Sequence, residues 1–306
     1  MIKTSGSKQL VETVRKYKYL YLMAVPVLLY YLVFKYIPMY GVIIAFQKYS
    51  PTIPFFENEW RGLHNFIEFF TSVYAGRIIR NTFMLNLYGL VLGFPAPIIL
   101  ALMLNEVRGK IFKKTVQTVS YIPHFISTVV SVGIVLSFVS YDGVINEIIN
   151  WFGGEKIQFM TEPGFFYLIY TISGIWQNIG WNSIIYLAAI TAIDQNMYEA
   201  AYMDGASRWQ QIWRITLPCI YPTISILLIL QIGSMMSVGF EKVFLMQNPS
   251  IYEAADVIST YVYRKGLLEL NYSYSAAVGF FNSIINFVLL IGANYASRRY
   301  SETSLW

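Results

Sequence analysis

DQNMYEAAYMDGASRWQQIWRITLP, residues 194–218, is polar, charged and turn-bearing, yet long apolar segments flank it on both sides. Asp194 is placed to cap a short helix by accepting backbone N–H bonds. Met197, Ala200, Ala201 and Met203 put small and flexible apolar side chains on that helix. Gly205 supplies the backbone freedom for a sharp break. Ser207 suits the cap of a second short helix, and Trp209, Ile212 and Trp213 give it an apolar stripe at helical spacing. Pro218 fits the first turn of the helix after that, where its missing N–H costs little. The expectation is a helix–turn–helix knuckle between two membrane spans, with a short helix on offer to a partner's groove.

Composition points the same way. Of 306 residues, 56% are hydrophobic, 17% aromatic and 13% charged. An ordinary soluble domain carries roughly 25% charged residues, so these charges are too few to coat a soluble body of this size. The net charge of +5 does not mark a nucleic-acid binder, because the Lys and Arg residues collect beside apolar spans. Cys219 stands alone, which excludes an internal disulfide and offers nothing to a metal site. Residues 1–18 lack an apolar core followed by a small-residue cleavage site, so the first span is expected to serve as an uncleaved anchor.

Working outward, residues 1–18 form a basic tail with Lys3, Lys8, Arg15, Lys16 and Lys18. About 20 apolar residues of helix cross a hydrocarbon core, and residues 19–37 satisfy that, with Pro26 as a kink. The basic flank places the N-terminus in the cytoplasm. Residues 38–76 read as a long external segment, in which Trp60, Leu63, Phe66, Ile67, Phe69 and Phe70 form the apolar stripe of a bracing interfacial helix. The second span, 78–104, is irregular because of Gly89, Gly93, Pro95 and Pro97. A cytoplasmic loop at 105–117 carries Arg108, Lys110, Lys113 and Lys114. The third span is 118–139. An external stretch at 141–163 holds a short amphipathic helix with Val144, Ile145, Ile148, Ile149 and Trp151. The fourth span, 164–192, is polar in its middle. After the knuckle come a fifth span at 220–246, an external segment at 247–271 and a sixth span at 272–296, closed by Arg298 and Arg299. External Arg77, Arg80, Arg264 and Lys265 run against the charge rule, but in longer segments where it is weaker. The reading is therefore an all-α membrane protein of six transmembrane helices with both termini cytoplasmic: a tail at 1–18, a membrane domain at 19–296 and a second tail at 297–306.

The knuckle also carries a resemblance. Glu199-Ala200-Ala201, three residues, Gly205, nine residues, Ile215, one residue and Leu217-Pro218 resemble the EAA loop of permease subunits of binding-protein-dependent ABC importers. KYIPMYGVIIAF at 35–46, GLHNFIEFF at 62–70, EAADVISTYVYRKGL at 253–267, NYSYSAAVGFFNSIINFVLL at 271–290 and the terminal Leu305-Trp306 look like the oligo- and polysaccharide class of these permeases. The likeness covers nearly the whole chain. It implies the type I ABC importer permease fold in a bacterial cytoplasmic membrane. It also implies a heterodimer with a second related permease, two copies of a cytosolic ATPase that bind the ATP and Mg, and an extracellular or periplasmic sugar-binding protein. Under that resemblance Glu199, Ala200, Ala201, Asp204, Gly205, Arg208, Leu217 and Pro218 form the ATPase-coupling surface. Glu199 is suited to a charge-assisted contact with a basic group of the ATPase.

No catalytic set is visible. His64 and His124 fall on different segments, and His124 beside Pro123 reads as a bonded interface residue. The chain contains no phosphate loop, since Gly109-Lys110 lacks the upstream glycine and the following Ser or Thr. For a substrate path, polar groups at lipid depth face a cavity or a neighbour. Asn178 and Asn182 share one helix face, and Asn282 and Asn286 repeat the spacing. Asparagine amides both donate and accept, which suits sugar hydroxyls. Trp176 or Trp181 offers a ring for a pyranose face, and Gln231 and Glu241 complete the candidates. Hydrogen bonding between helices accounts equally well for each of these residues alone. The function expected is import of an oligosaccharide, acidic and polysaccharide-derived ones included. The competing class is an ion-gradient-driven secondary transporter. It would need embedded titratable groups, and Glu241 is the sole carboxylate in the spans as drawn. An intramembrane enzyme finds no nucleophile–base pair.

Overall fold

The computed structural model describes residues 15–301, 304 and 305. Most of the tail at 1–18 and the terminal Trp306 lie outside the described residues. The chain is mostly helical. Its main helices are α1 (Lys18–Phe46), α2 (His64–Thr71), α3 (Ala75–Glu106), α4 (Lys110–Phe125), α5 (Thr128–Phe138), α6 (Val144–Trp151), α7 (Pro163–Thr191), α8 (Gln195–Met203), α9 (Arg208–Gly233), α10 (Phe240–Met246), α11 (Ile258–Tyr263) and α12 (Tyr272–Ser301). The all-α expectation needs one small correction. Gln47–Lys48 and Glu59–Trp60 form a two-stranded antiparallel pair, with Gln47 opposite Trp60.

Four helices are long and apolar enough to cross a membrane: α1, α3, α9 and α12. A fifth candidate is the pair α4 and α5, bent by 105° at its break. This corrects two sequence expectations. The basic stretch at 105–117 is not an extended loop, because helix begins at Lys110. The third span is not one rod, because Pro123 interrupts the hydrogen-bond ladder and Ser127 caps a new helix. The fifth span also ends early. α9 stops at Gly233, and residues 234–239 separate it from α10, so Glu241 sits in the first turn of a short helix and not within a span. α7 has 29 residues and bears no charged side chain, but its polar middle keeps it out of the apolar set.

α7 is the central element. It packs along the second half of α3 and also touches α4 and α9, while α9 lies against α12. Small residues permit the closest approach. A Cβ at Gly180 of α7 would run into the Ser120 carbonyl of α4, and one at Gly233 would meet Leu290 of α12 at about 2.5 Å. The bracing stripe behaves as expected in part. α2 packs on α12 and buries Phe69 completely, with Phe281 5.7 Å away between ring centres. Trp60 lies in the strand pair, not in the helix, and stacks on Phe46 at 5.7 Å. In contrast, none of Lys18–Tyr31 is buried.

Buried apolar residues form three clusters. One joins Leu85, Val132, Phe166 and Val243. A second joins Phe69, Ile78, Tyr261 and Tyr274. The third, Ala101, Tyr186, Ile190, Ile193 and Ile220, lies beneath the knuckle and receives Tyr198, Ile215 and Leu217 from it. Between segments distant in sequence, the fully buried Asp256 carboxylate takes Arg264 at 2.8 Å and Arg77 at 3.2 Å. Burial is the largest influence on the Arg264 guanidinium and alone would lower it, but the hydrogen bond to Asp256 and the charge of that carboxylate, with Tyr252 and Tyr261, together hold it above its ordinary value.

Candidate functional site

The knuckle forms from the local signals in its sequence. The Asp194 carboxylate accepts the Asn196 N–H at 3.0 Å and starts α8. The helix closes in a left-handed turn at Gly205, φ +78°. Ala206 N–H reaches the Ala201 carbonyl at 2.9 Å and Gly205 N–H reaches Tyr202 at 3.0 Å, which satisfies carbonyls the helix end would orphan. Ser207 and Gln210 then form a reciprocal capping box. The second short helix is not separate from the next span, however. Residues 208–211 pass through a wider π turn, Ile212–Thr216, straight into Leu217–Gly233. Tyr198 and Thr216 hydroxyls bond at 2.9 Å and tie α8 to that turn.

What the knuckle shows outward is mixed. Trp209 and Trp213 are 67% and 56% exposed and meet edge to face, with Tyr202 and Met203 exposed beside them. Glu199, Ala200, Asp204, Gly205, Arg208 and Pro218 are exposed, while Ala201 and Leu217 are partly covered. Among the described residues, Glu199, Asp204 and Arg208 enter no ion pair. The surface thus offers a charged set around an aromatic pair, all on one rigid turn.

A cavity of about 670 Å³ lies between α3, α7 and α9. Gly89 and Gly93 on α3 and Gly174 on α7 leave it room. Four of the tentative path residues line it: Asn178, Trp181, Asn182 and Gln231. The other three do not. Glu241 is on α10 and exposed. Asn286 accepts the Met236 N–H at 2.8 Å and donates to Ser237 Oγ at 2.8 Å, so it locks the break after α9. Asn282 Oδ1 is buried without a hydrogen-bond partner among the described residues.

His124 is a bonded residue, as its setting suggested. Its Nδ1 lies 3.0 Å from Asn178 Oδ1, and its ring stacks on Trp181 at 4.6 Å and 4°. Because Asn178 Nδ2 already donates to the Gly174 carbonyl at 3.1 Å, Oδ1 is the acceptor and Nδ1 carries the proton. Thus one face of Trp181 belongs to His124. Sequence reading missed Asn86, Tyr170 and Thr171, which also line the cavity. Asn86 lies four residues past Thr82, whose carbonyl takes its amide at 3.0 Å. A polar side chain inside an apolar run was the available signal. It also missed Lys242, whose ammonium reaches α7 beside the cavity. The signal there was a Lys within the 220–246 stretch.

Comparison with known proteins gives a consistent result. A family model described as the binding-protein-dependent transport system inner membrane component matches residues 93–302. The polygalacturonan/rhamnogalacturonan transport system permease protein YteP of Bacillus subtilis is 45% identical over 307 residues, covering 100% of this chain and 96% of that one. Protein LplB of the same organism is 46% identical over 290 residues, 94% of this chain and 91% of its own. Among solved structures, a chain of a bacterial ABC transporter involved in the import of the acidic polysaccharide alginate superposes with a TM-score of 0.88 at 44% identity, over 96% of this chain and 99% of that one. A chain of the bacterial alginate transporter in complex with an alginate pentasaccharide-bound periplasmic protein gives 0.88 at 43% identity.

Proposed function

The chain belongs to the binding-protein-dependent transport system inner membrane components, as an ABC transporter permease of the sugar-importing kind and not an enzyme, and from that premise we infer that it forms the path for an oligosaccharide released from an acidic polysaccharide. A solute-binding protein delivers the sugar. A second, related permease completes the path, and two ATPase subunits dock on the knuckle at 194–218 and drive it. The chain sits in a bacterial inner membrane with both termini cytoplasmic. Its six crossings are the four apolar helices, the bent pair α4–α5 and the polar α7.

One observation carries this reading. The cavity walls α7 and α9 are the same two helices that run into the knuckle, so a partner that moves the knuckle reshapes the cavity. Glu199 and Arg208 orient the ATPase, and Trp209 and Trp213 fill its groove. Asn178, Asn182 and Gln231 meet sugar hydroxyls. The test is uptake of labelled oligosaccharide by vesicles holding both permeases, the ATPase and the binding protein. Uptake should require ATP and should persist when ion gradients are collapsed. Gly205→Pro and Glu199→Trp should abolish it while the protein still inserts. Uptake driven by an ion gradient without ATP would overturn the reading.

A further inference from the structure

Lys242 stands on α10, a seven-residue helix that packs against α5 and α11. Its ammonium crosses to α7, donates to the Tyr170 carbonyl at 2.8 Å and sits 4.4 Å from the centre of the Tyr170 ring. It is also close to Gly174, where an added Cβ would come within 3.3 Å of the nitrogen. Tyr170 and Gly174 both line the cavity. Asn178 and Asn182 follow Gly174 at four-residue steps, so cation and amides form one row down one face of α7.

A carbonyl and a ring face attract the ammonium but do not neutralise it. Four cations around the external segments have carboxylate partners: Arg77 and Arg264 share Asp256, Lys156 has Asp142, and Lys265 has Glu269. Lys242 joins no ion pair among the described residues, and its neighbour Glu241 is exposed. A partly buried charge without a counter-charge is costly to hold. Its position against Tyr170 and Gly174, two residues that line the cavity, offers an anion there what the protein withholds. We propose that the Lys242 ammonium is the counter-charge for a sugar carboxylate at the Gly174 end of the cavity, which makes it a specificity-determining residue for acidic oligosaccharides. The assignment rests on the permease reading above. Two of the three N–H donors of an ammonium remain for the carboxylate while the third keeps Tyr170.

The test uses the assembled two-permease, two-ATPase complex, with the binding protein present for uptake, and two probes: trigalacturonate and its carboxyl-reduced, neutral counterpart. Binding of each is measured by calorimetry, and ATP-dependent vesicle uptake is measured alongside. In Lys242→Met the dissociation constant for trigalacturonate should rise at least about tenfold, with the neutral trisaccharide unchanged. Lys242→Arg should keep most of the affinity, which separates charge from packing if the Met variant assembles poorly. Parallel loss of both sugars, or loss of neither, overturns the proposal. Wild-type uptake of the neutral sugar alone also overturns it and leaves the permease reading standing. Absence of ATP-dependent uptake for both sugars overturns the permease reading, and the role of Lys242 with it.

Discussion

Gly205 is the residue on which the knuckle's shape turns. Nothing lies within 4 Å of a Cβ added there, so space is not the constraint; the positive φ is. Gly205→Ala should therefore cost about 1 kcal/mol of stability through the backbone alone, read as a lower melting midpoint of the detergent-solubilised protein. Asn286 presents the opposite case. Its side chain holds two groups at the break after α9, so Asn286→Leu should cost about 1–3 kcal/mol by the same measurement. Asn182 lines the cavity, and its side chain makes no hydrogen bond among the described residues. Asn182→Ala should leave the melting midpoint within about 0.5 kcal/mol of wild type and raise the KM of sugar uptake. The two pairs, Asn178 with Asn182 and Asn282 with Asn286, read identically in the sequence. Spacing says which side chains share a helix face, but only packing says what that face meets. Thus Asn178 and Asn182 border open volume, whereas Asn286 is taken up by a helix end and the Asn282 amide oxygen is buried away from the cavity.

At the scale of elements, local chemistry explains what was legible. Asp194, Gly205 and Ser207 act within a few residues of themselves, and cap and turn appear where those residues require them. The spans were harder, because hydropathy counts apolar residues and does not see a corner. The stretch at 118–139 has the composition of a crossing but folds through a 105° bend at Pro123 and Ser127. His124 secures that corner to α7. His124→Ala removes its bond to Asn178 and its stack on Trp181, and should cost about 1–2 kcal/mol. The accompanying sign is a red-shifted tryptophan emission, since Trp181 would lose the ring that covers one face.

Across the whole molecule, the cavity occupies a middle level. Along α3 its lining runs from Leu85 to Pro97, with the knuckle-side cluster beginning at Ala101. The opposite end is held by Asp256. Arg77 and Arg264, which as bare sequence ran against the charge rule, are accounted for by their shared carboxylate. No sequence spacing announces that clamp, because its two arms are 179 and 8 residues from Asp256. Asp256→Asn would leave two guanidiniums facing a neutral amide. It should destabilise the protein by about 3 kcal/mol, the low end for a broken buried pair because both arginines keep some water contact. The melting midpoint should fall accordingly and recover little on adding salt.

The merging of the second knuckle helix into α9 has a mechanical corollary. From Trp209 to Gln231 the chain is one continuous helix of about 33 Å, with the π turn at 212–216 and Pro222 as the places where it can bend. Pivoted near its foot, such a lever converts a tilt of about 10° into a swing of about 6 Å at the far tip. That is roughly the width of a sugar ring. A small rotation at the aromatic foot is therefore enough to open or shut a passage of the size a saccharide needs.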